Sequence, residues 1–495
     1  MAVLLTSLVL VSCIVILFRY YAKYKLNYWK RRGVDSLPTD LIFGNFKDAA
    51  LFKTAPGSYL GELHKSANTN APMLGFYIFH KPCIILRDIN LIKQIMVKDF
   101  ENFTDRHFAG AQEIDSIGMR YLFGLNSPAW KYLRSKITPS FTKSKLKLML
   151  PLMMETGEEM MEFLKNEKTD ANGIKNVDAE ELNYKYTSDI IASVGLGVKL
   201  NTFKNPDSEF SKNMTHFYHS LRRMLALVTV FFTPEIVGVF GKKVLFDSSF
   251  LEKIFWKSIE SREKTGLHRG DFVDSLLKLK NGPQNSNYKF EGKNLFYQAG
   301  TFVSGFESSS SASSFTLMEL AKYPEFQTKA RDDINAAIEK HGLTYEAFND
   351  MKYLDQCIAE GIRLHPPVAT VDRYKMKDYQ VPGTDIVLEK GTAIYVSLYG
   401  LQQDSRFFEN PSEFNPERFD SESDVSDAYI PFGVGPRMCI GMKLGQLHVK
   451  VVIAMILRSY EVIQLSKDET ILDNRATLTV AADGISLQFK EIISS

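Results

Sequence analysis

A single cysteine lies in a glycine-rich stretch near the carboxyl end of the chain, PFGVGPRMCIGMKLG at 431–445. The other cysteines, Cys13, Cys83 and Cys357, are far from Cys439 in the sequence. A disulfide needs a partner thiol, and a zinc site needs about four ligands. A lone thiolate is suited either to nucleophilic attack or to axial ligation of a metal that brings its other ligands with it.

Two charged motifs precede this cysteine. Glu360 and Arg363 stand three residues apart, so their side chains can meet on one face of a helix. Taken alone, the pair favours a solvated surface contact, which contributes under about 1 kcal/mol to stability. The segment FNPERF at 414–419 places Arg418 in a proline-containing stretch that is typical of a loop.

Two further motifs combine polar and aromatic residues. Trp130 and Arg134 stand four residues apart, and stacking of the guanidinium on the indole ring explains the pair without any function. Four consecutive serines occupy 308–311, a composition that is more usual in linkers. Apolar residues flank them on both sides, so we expect a buried or half-buried helix. Polar groups on such a helix need partners or a function.

The elements that must position these motifs are mainly helical. Helix-period patterns predict helices at 144–165, 178–196, 247–262, 293–322, 325–340 and 350–364. Strand-like runs occur at 73–79, 82–88, 392–398 and 485–490, and the first two predict a hairpin around His80 and Lys81. Polar, turn-rich pieces at 166–178, 281–289 and 420–428 are short enough to be surface loops. The sequence therefore predicts one mainly α domain with a small β region.

The first segment of the chain is apolar. Residues 2–18 carry no charge, and as a helix of about 26 Å they match a hydrocarbon layer of ~27 Å. The lysines and arginines between 23 and 32 predict that the body of the protein stays in the cytosol. A cleaved signal peptide is the alternative, but no basic residue precedes the run and no small-residue cleavage site follows it. We predict a membrane anchor at 1–21, a basic linker or hinge at 22–45 and one domain at 46–495.

Composition excludes several classes of protein. The chain has 495 residues, is 45% hydrophobic and 24% charged, and carries a net charge of +2, which gives no indication of nucleic-acid binding. Four cysteines in so long a chain do not form a disulfide framework and indicate a reducing compartment. No G-x-G-x-x-G motif follows a strand, so electrons from a dinucleotide would have to come through a partner protein.

The stretch FGVGPRMCIG fits the pattern F-x-x-G-x-R-x-C-x-G without a mismatch, and it resembles the haem-binding loop of the cytochrome P-450 family. The W-x-x-x-R pair, the acid–alcohol helix, the E-x-x-R pair and the P-E-R-F segment occur in that family's order, between 130 and 441. The resemblance covers essentially the whole chain. Stretches such as YWKRRGV and VKDFENFTDR further resemble the insect microsomal branch, which contains many xenobiotic-oxidising enzymes.

The resemblance implies that haem b binds with Cys439 as the axial thiolate and with Arg437 as a partner of a propionate. Trp130, Arg134 and Arg373 match other positions near the propionates. The residues expected to contact haem are Trp130, Arg134, Arg373, Phe432, Gly435, Arg437, Cys439 and Gly441. A thiolate ligand would push electron density onto the iron and favour cleavage of the O–O bond.

The remaining motifs receive roles from the same resemblance. Glu360, Arg363 and Arg418 match a structural ion network behind the haem, not catalytic groups. The helix 293–322 matches the one that crosses the distal haem face. Its acid–alcohol pair would be Glu307 and Ser308, which assist proton delivery. The family usually has threonine in place of this serine, whose hydroxyl is less restrained without the extra methyl group.

The resulting expectation is a membrane-anchored monooxygenase that inserts one atom of O2 into an apolar xenobiotic or lipid-like substrate. Electrons would come from NADPH through a separate reductase, with cytochrome b5 as a second candidate donor, at the cytosolic face of the endoplasmic reticulum. Lys131, Lys136 and Lys443 either steer the reductase or belong to a solvated face. The apolar segment 225–240 either dips into the membrane or packs as a core helix. A reductase-independent haem isomerase and a non-catalytic haem-binding or sensing protein remain as alternatives.

Overall fold

Helices make up most of the chain, and the computed structural model describes residues 1–67, 70–108, 120–213, 220–240, 249–420, 426–465 and 470–492. Over these residues helices α1 to α17 span Ala2–Leu26, Lys47–Ala50, Pro56–Ser66, Ile89–Lys93, Ala129–Ile137, Lys143–Asn166, Ala179–Ile190, Leu221–Phe232, Ser249–Thr265, Phe272–Lys280, Lys293–Val303, Phe306–Lys322, Pro324–His341, Tyr345–Asp350, Lys352–Leu364, Leu398–Gln402 and Met442–Ser459. Short 3₁₀ or π segments are Lys30–Arg32, Gln94–Lys98, Phe100–Asn102, Thr138–Phe141, Ile191–Leu196, Pro234–Phe240 and Pro416–Phe419. The predicted mainly helical class is confirmed.

The strands form three small sheets. Strands β1 to β9 span Met73–Ile78, Lys81–Leu86, Ile174–Asp178, Thr370–Tyr374, Tyr379–Gln380, Val387–Leu388, Ala393–Ser397, Tyr460–Gln464 and Ser486–Glu491. Their orders are β1-β2-β7-β4, β3-β9-β8 and β5-β6, and the pair β2 and β7 is parallel whereas the others are antiparallel. The predicted hairpin is confirmed as β1 and β2, with Phe79 and His80 in the turn.

Both faces of the four-stranded sheet are buried. Alternate strand residues, such as Tyr77 and Ile394, pack with Trp29 on one face. Their neighbours Phe76 and Tyr395 belong to a separate apolar cluster on the other face. Because both faces of the sheet are buried, the sequences of its strands are nearly continuous apolar runs and do not alternate between apolar and polar residues.

Helix α12 runs through the centre of the largest apolar cluster, where every residue from Ser310 to Ala321 is buried. Its serines satisfy their hydrogen bonds locally or with neighbours, as when Asn183 Nδ2 donates to Ser314 Oγ at 3.1 Å. Close packing against α15 requires a glycine, since a Cβ on Gly361 would lie 2.4 Å from Thr316 Oγ1. This burial on all sides removes the amphipathic pattern that a surface helix would show.

Two predicted elements differ from the structure, and a third lies partly outside the described residues. The helix expected at 293–322 is two helices, α11 and α12. Between them the amide of Gly305 donates to Phe302 O at 2.9 Å, three residues back along the chain, instead of to the carbonyl four residues back that a continuous α-helix would use. The loop expected at 166–178 contains β3, whose pairing with β9 depends on residues far along the chain. The loop expected at 420–428 lies partly outside the described residues, as 421–425 are not described.

Helix α1 is long and apolar enough to cross a membrane, and it is the one helix in the described ranges that meets this criterion. Its side chains from Val3 to Tyr21 are exposed, whereas Ala22 and Leu26 are buried against the domain. Trp29 is fully buried and lies directly on Gly75, where a Cβ would come within 2.5 Å of the indole ring. The first part of the segment predicted as a linker therefore packs on the four-stranded sheet.

Candidate active site

The cysteine loop is held in place by backbone hydrogen bonds before helix α17 begins. The amide of Cys439 donates to Phe432 O at 2.8 Å, and the amide of Met438 donates to Gly435 O at 2.9 Å. Gly435 has a φ of 78°, and a Cβ at this position would lie 2.2 Å from Met96 O. A residue other than glycine therefore cannot occupy position 435 without moving the neighbouring chain.

The thiol of Cys439 faces an interior cavity. Its side chain has accessible surface although it lies deep in the protein, because that surface faces a cavity of about 350 Å³. Burial raises the pKa of the Cys439 thiol, while the backbone of Gly441 and the guanidinium groups of Arg134 and Arg106 oppose this rise. Burial thus favours the neutral thiol, and the cations of Arg134 and Arg106 reduce the cost of forming the thiolate, the form that ligates metals.

Two glycines leave open space beside the thiol. Among the described residues, the nearest neighbour of a Cβ on Gly441 would be Phe141, at 3.8 Å, and that of a Cβ on Gly445 would be Ser309, at 4.0 Å. Neither glycine is forced by the packing of protein atoms alone, unlike Gly435. Both line the cavity, and the absence of their side chains leaves room for a planar group against the start of α17.

Arg437 lies at one edge of this space and is 5% exposed. It donates to the carbonyl oxygens of Thr104 and Leu125, each at 2.7 Å, and its guanidinium lies 4.1 Å from the ring centroid of Trp130. The stacking suggested for Trp130 and Arg134 is therefore wrong, because Arg437 occupies the indole face. Arg134 instead donates to Met438 O at 3.0 Å, next to the cysteine.

Three buried guanidinium groups come together behind this edge. Burial, together with the charge of Arg106, lowers the pKa of Arg373 to about 9, although Asp372 opposes the shift. Burial and the neighbouring Arg106 and Arg373 likewise lower the pKa of Arg437 to about 8. The Nε atoms of Arg106 and Arg373 find no partner among the described residues. Among the described residues, the acids paired with this cation cluster are Asp105 and Asp372, so the site suits an additional anionic group such as a carboxylate.

The expected acid and alcohol lie together on another wall of the cavity. Glu307 and Ser308 occupy the first turn of α12, and both line the space above the cysteine loop. Ser308 Oγ donates to Gly305 O at 3.1 Å, beside the break between the two helices. Glu307 Oε2 lies 2.6 Å from Arg223 Nη2 on α8, and both side chains are largely buried.

Glu360 and Arg363 form a fully buried pair, which excludes the solvated surface contact. Glu360 accepts from Arg363 Nε at 2.6 Å, from Arg418 Nε at 3.0 Å and from the amide of Asn415 at 2.9 Å. The other guanidinium nitrogens of Arg363 donate to carbonyl oxygens of Gln402, Pro411 and Glu413. The network joins α15 to the irregular segment that precedes the cysteine loop.

Two charged residues at the site were missed by reasoning from the sequence. Arg106 and Arg223 belong to no recognisable spacing pattern, and their partners Asp372 and Glu307 are distant in the chain. Arg106 also carries its guanidinium 4.1 Å from the ring of Phe123 in the cavity wall. Only long-range packing identifies these two arginines as parts of the site.

A deep thiol beside open space and an excess of buried cations fits a planar, anionic cofactor that takes a thiolate ligand. The fold and the site thus fit the class of haem-thiolate proteins. The family model described as Cytochrome P450 matches residues 36–489. The chain belongs to the cytochrome P450 family and is a cytochrome P450 monooxygenase.

The relatives agree with this assignment. The chain is 35% identical to Cytochrome P450 6k1 of Blattella germanica over 513 residues, which cover 97% of this chain and 96% of that protein. It is 36% identical to Cytochrome P450 6l1 of the same organism over 449 residues, covering 88% and 86% of the two chains. It is 32% identical to Probable cytochrome P450 6d5 of Drosophila melanogaster over 489 residues, covering 91% and 92%.

Proposed function

We propose that this monooxygenase inserts one atom of O2 into an apolar organic substrate, a xenobiotic or a lipid-like compound, bound in the cavity above Cys439. The observation that carries the proposal is a single cavity lined by the cysteine thiol, by the Glu307 and Ser308 pair and by apolar side chains. Electrons come from NADPH through a separate reductase, since the reaction needs two electrons for each oxygen atom inserted.

Haem b would be held by residues that already face this space. Cys439 Sγ would ligate the iron, and the glycines at 441 and 445 would let the ring lie flat against α17. Arg437, Arg134 and Trp130 would hold the propionates, with Arg373 and Arg106 adding positive charge from behind. When bound, the haem supplies the redox chemistry that activates O2.

The protein's own groups manage substrate and protons. Phe108 contacts Phe123 and Phe231 at centroid distances of 5.0 and 4.8 Å, which gives the substrate an aromatic wall with few polar partners. This wall excludes water and favours apolar ligands. Ser308 Oγ and the Glu307 carboxyl are the groups that would hold and pass protons towards the reacting oxygen.

The location and partners follow from surface features. Helix α1 is consistent with membrane anchoring, and we infer attachment to the endoplasmic reticulum with the domain on the cytosolic face. Lys136 and Lys443 are exposed and could contact an acidic reductase or cytochrome b5, whereas Lys131 is paired with Glu101 at 2.6 Å. We therefore assign steering of the reductase to Lys136 and Lys443 first.

The test is turnover by the full chain in membranes with a microsomal reductase. Consumption of NADPH and O2 with formation of an oxygenated product, across a panel of apolar compounds, is the expected result. Rearrangement of a peroxide without reductase would instead indicate an isomerase. Haem binding without any turnover across the panel would indicate a binding or sensing protein.

A further inference from the structure

A second cavity, of about 420 Å³, lies beside the first and is lined mainly by α7, α12 and the segment 473–484. The two cavities share Arg223, Leu227, Glu307 and Leu478 in their walls. The ion pair of Glu307 and Arg223 therefore stands at the boundary between the substrate space and the second cavity.

Two polar rows face the second cavity from opposite helices. Glu180, Tyr184 and Ser188 follow one another at intervals of four residues along α7, and Glu307, Ser310 and Ser311 lie on α12. The four-serine run is thus divided: its first two members line the substrate cavity and its last two line the second cavity. This division accounts for Ser310 and Ser311, which do not line the substrate cavity.

The second cavity is suited to water. Ser188 Oγ and Thr477 Oγ1 are buried, and neither has a hydrogen-bond partner among the described residues. Buried hydroxyl groups without protein partners are usually satisfied by ordered water. The hydroxyl of Ser311 is already used, because it donates to Thr479 O at 2.7 Å. Water in this space would reach from the α7 side to Glu307.

Glu180 is the half-buried acid on this route. Its Oε1 accepts from the amide of Ala481 at 3.2 Å. Burial, together with the negative charges of Asp178 and Asp473, raises the pKa of Glu180 to about 7, although that hydrogen bond opposes the rise. The carboxyl therefore exchanges its proton near neutral pH, as an efficient acid–base group must.

The other acids around the cavity have partners in the protein. Glu181 is paired with Lys185 at 2.8 Å, Asp473 is paired with Arg475 at 2.7 Å, and Glu307 is paired with Arg223. Asp178 has no cation within salt-bridge distance among the described residues, but its Oδ1 accepts hydrogen bonds from the backbone amides of Glu180, Glu181 and Ile485. Glu180 also has no cation within salt-bridge distance among the described residues.

We propose that Glu180 is a proton-relay residue, which takes up protons from solvent and passes them through water in the second cavity to Glu307. This inference rests on the proposed monooxygenase function. Insertion of one oxygen atom consumes two electrons from NADPH and two protons, and the second oxygen atom leaves as water. Glu180 gives its Oε proton to cavity water and regains one from solvent, and no electron moves in this step.

The first test compares Glu180→Gln with Glu181→Gln, which removes the same charge from the adjacent, more exposed position. Product, peroxide and NADPH are measured in one reaction from pH 6 to pH 8, with the full chain, reductase and a substrate that the wild type oxidises. We expect Glu180→Gln to lower product per NADPH about tenfold, since general acid–base groups contribute at least this much. Wild-type coupling should fall above about pH 7, and Glu180→Gln should lose that inflection.

Two variants separate a relay from a structural role. Glu181→Gln should match the wild type at every pH, and Glu180→Asp should restore part of the coupling together with a displaced inflection. If Glu180→Gln does not accumulate as folded protein, the displaced inflection in the pH profile of Glu180→Asp is the test. Wild-type turnover with an unchanged pH profile in these Glu180 variants would overturn the relay. Absence of wild-type turnover would instead overturn the proposed function.

A second readout needs no turnover. Because the folded state holds the Glu180 proton above the ordinary carboxyl pKa of 4.5, the contribution of Glu180 to wild-type stability is greatest at low pH and is lost as pH rises towards and through 7. Glu180→Gln lacks this decline. The Tm of Glu180→Gln minus that of the wild type should therefore become more positive between pH 5 and pH 8, and the same difference for Glu181→Gln should not. A flat difference for Glu180→Gln would show that Glu180 is ionised throughout and would overturn the relay.

Discussion

Replacing Glu360 with alanine should prevent most of the protein from accumulating with bound haem. The carboxyl of Glu360 is completely buried and accepts hydrogen bonds from Arg363, Arg418 and the amide of Asn415. Its removal leaves the buried guanidinium of Arg363 without a counter-charge. The carbonyl groups that also bind Arg363 cannot replace the lost negative charge.

The cost of this change is large compared with the stability of a domain. Breaking a buried ion pair by removing one partner costs about 3–5 kcal/mol, because an uncompensated charge remains in a medium of low dielectric constant. The loss of the Asn415 hydrogen bond adds about 1 kcal/mol or more. Domains are stable by roughly 5–15 kcal/mol in total, so the variant should lie near the limit of folding.

The assay is haem content and urea unfolding of the purified protein, compared with a matched control at Glu417, which is next to Arg418 of the same network in the sequence. Glu417 pairs with Lys329, and both side chains are about half exposed, at 52% and 55%. Glu417→Ala should therefore change stability by less than about 1 kcal/mol. Normal haem content and unchanged unfolding in Glu360→Ala would refute the reasoning, since they would show that the network contributes no more than a surface pair.

Three further predictions address the cavity, the cysteine loop and the anchor. Ser308→Ala should keep near-normal haem binding but give less product and more peroxide per NADPH, whereas Ser308→Thr should raise the product yield. If Ser308→Ala forms as much product per NADPH as the wild type, the proton-passing hydroxyl is that of Ser309 instead. Gly435→Ala should strongly reduce the amount of haem-loaded protein, because a Cβ there meets Met96 O at 2.2 Å and the positive φ adds about 1–2 kcal/mol of strain. Haem loading equal to that of the wild type would contradict this. Deleting residues 2–18 should move the protein from the membrane pellet to the supernatant with haem retained, because Trp29 still holds the following segment on the sheet. If some of the truncated protein still pellets, aspartate at the exposed Leu221, Leu225 and Ile236 should release it, and no release would exclude that surface as a second membrane contact.

Local spacing predicted several parts of the site well. The interval between Glu360 and Arg363 predicts that their side chains meet, because helix geometry brings residues three apart together. Whether the pair is buried depends on carbonyl groups from 402 to 413, which no local pattern connects to α15. Spacing alone therefore favoured the interpretation of Glu360 and Arg363 as a surface pair.

Other features were beyond local patterns for related reasons. Gly305 is a residue type that can interrupt a helix, but the apolar residues on both sides of it continue the helical period. The sequence pattern therefore predicted one long helix where the structure has two. Strand β3 exists because β9 pairs with it, more than 300 residues later in the chain. The cation cluster around Arg106 and the contact of Arg223 with Glu307 likewise depend on tertiary packing.

The central claim, that Cys439 is the axial thiolate of a haem, is tested most directly by the spectrum of the reduced protein with carbon monoxide. The account predicts the red-shifted Soret band of a thiolate-ligated haem in the wild type and its loss in Cys439→His, with haem still bound. The same red-shifted band in Cys439→His would contradict the assignment, because the sulfur ligand would then have to come from another residue.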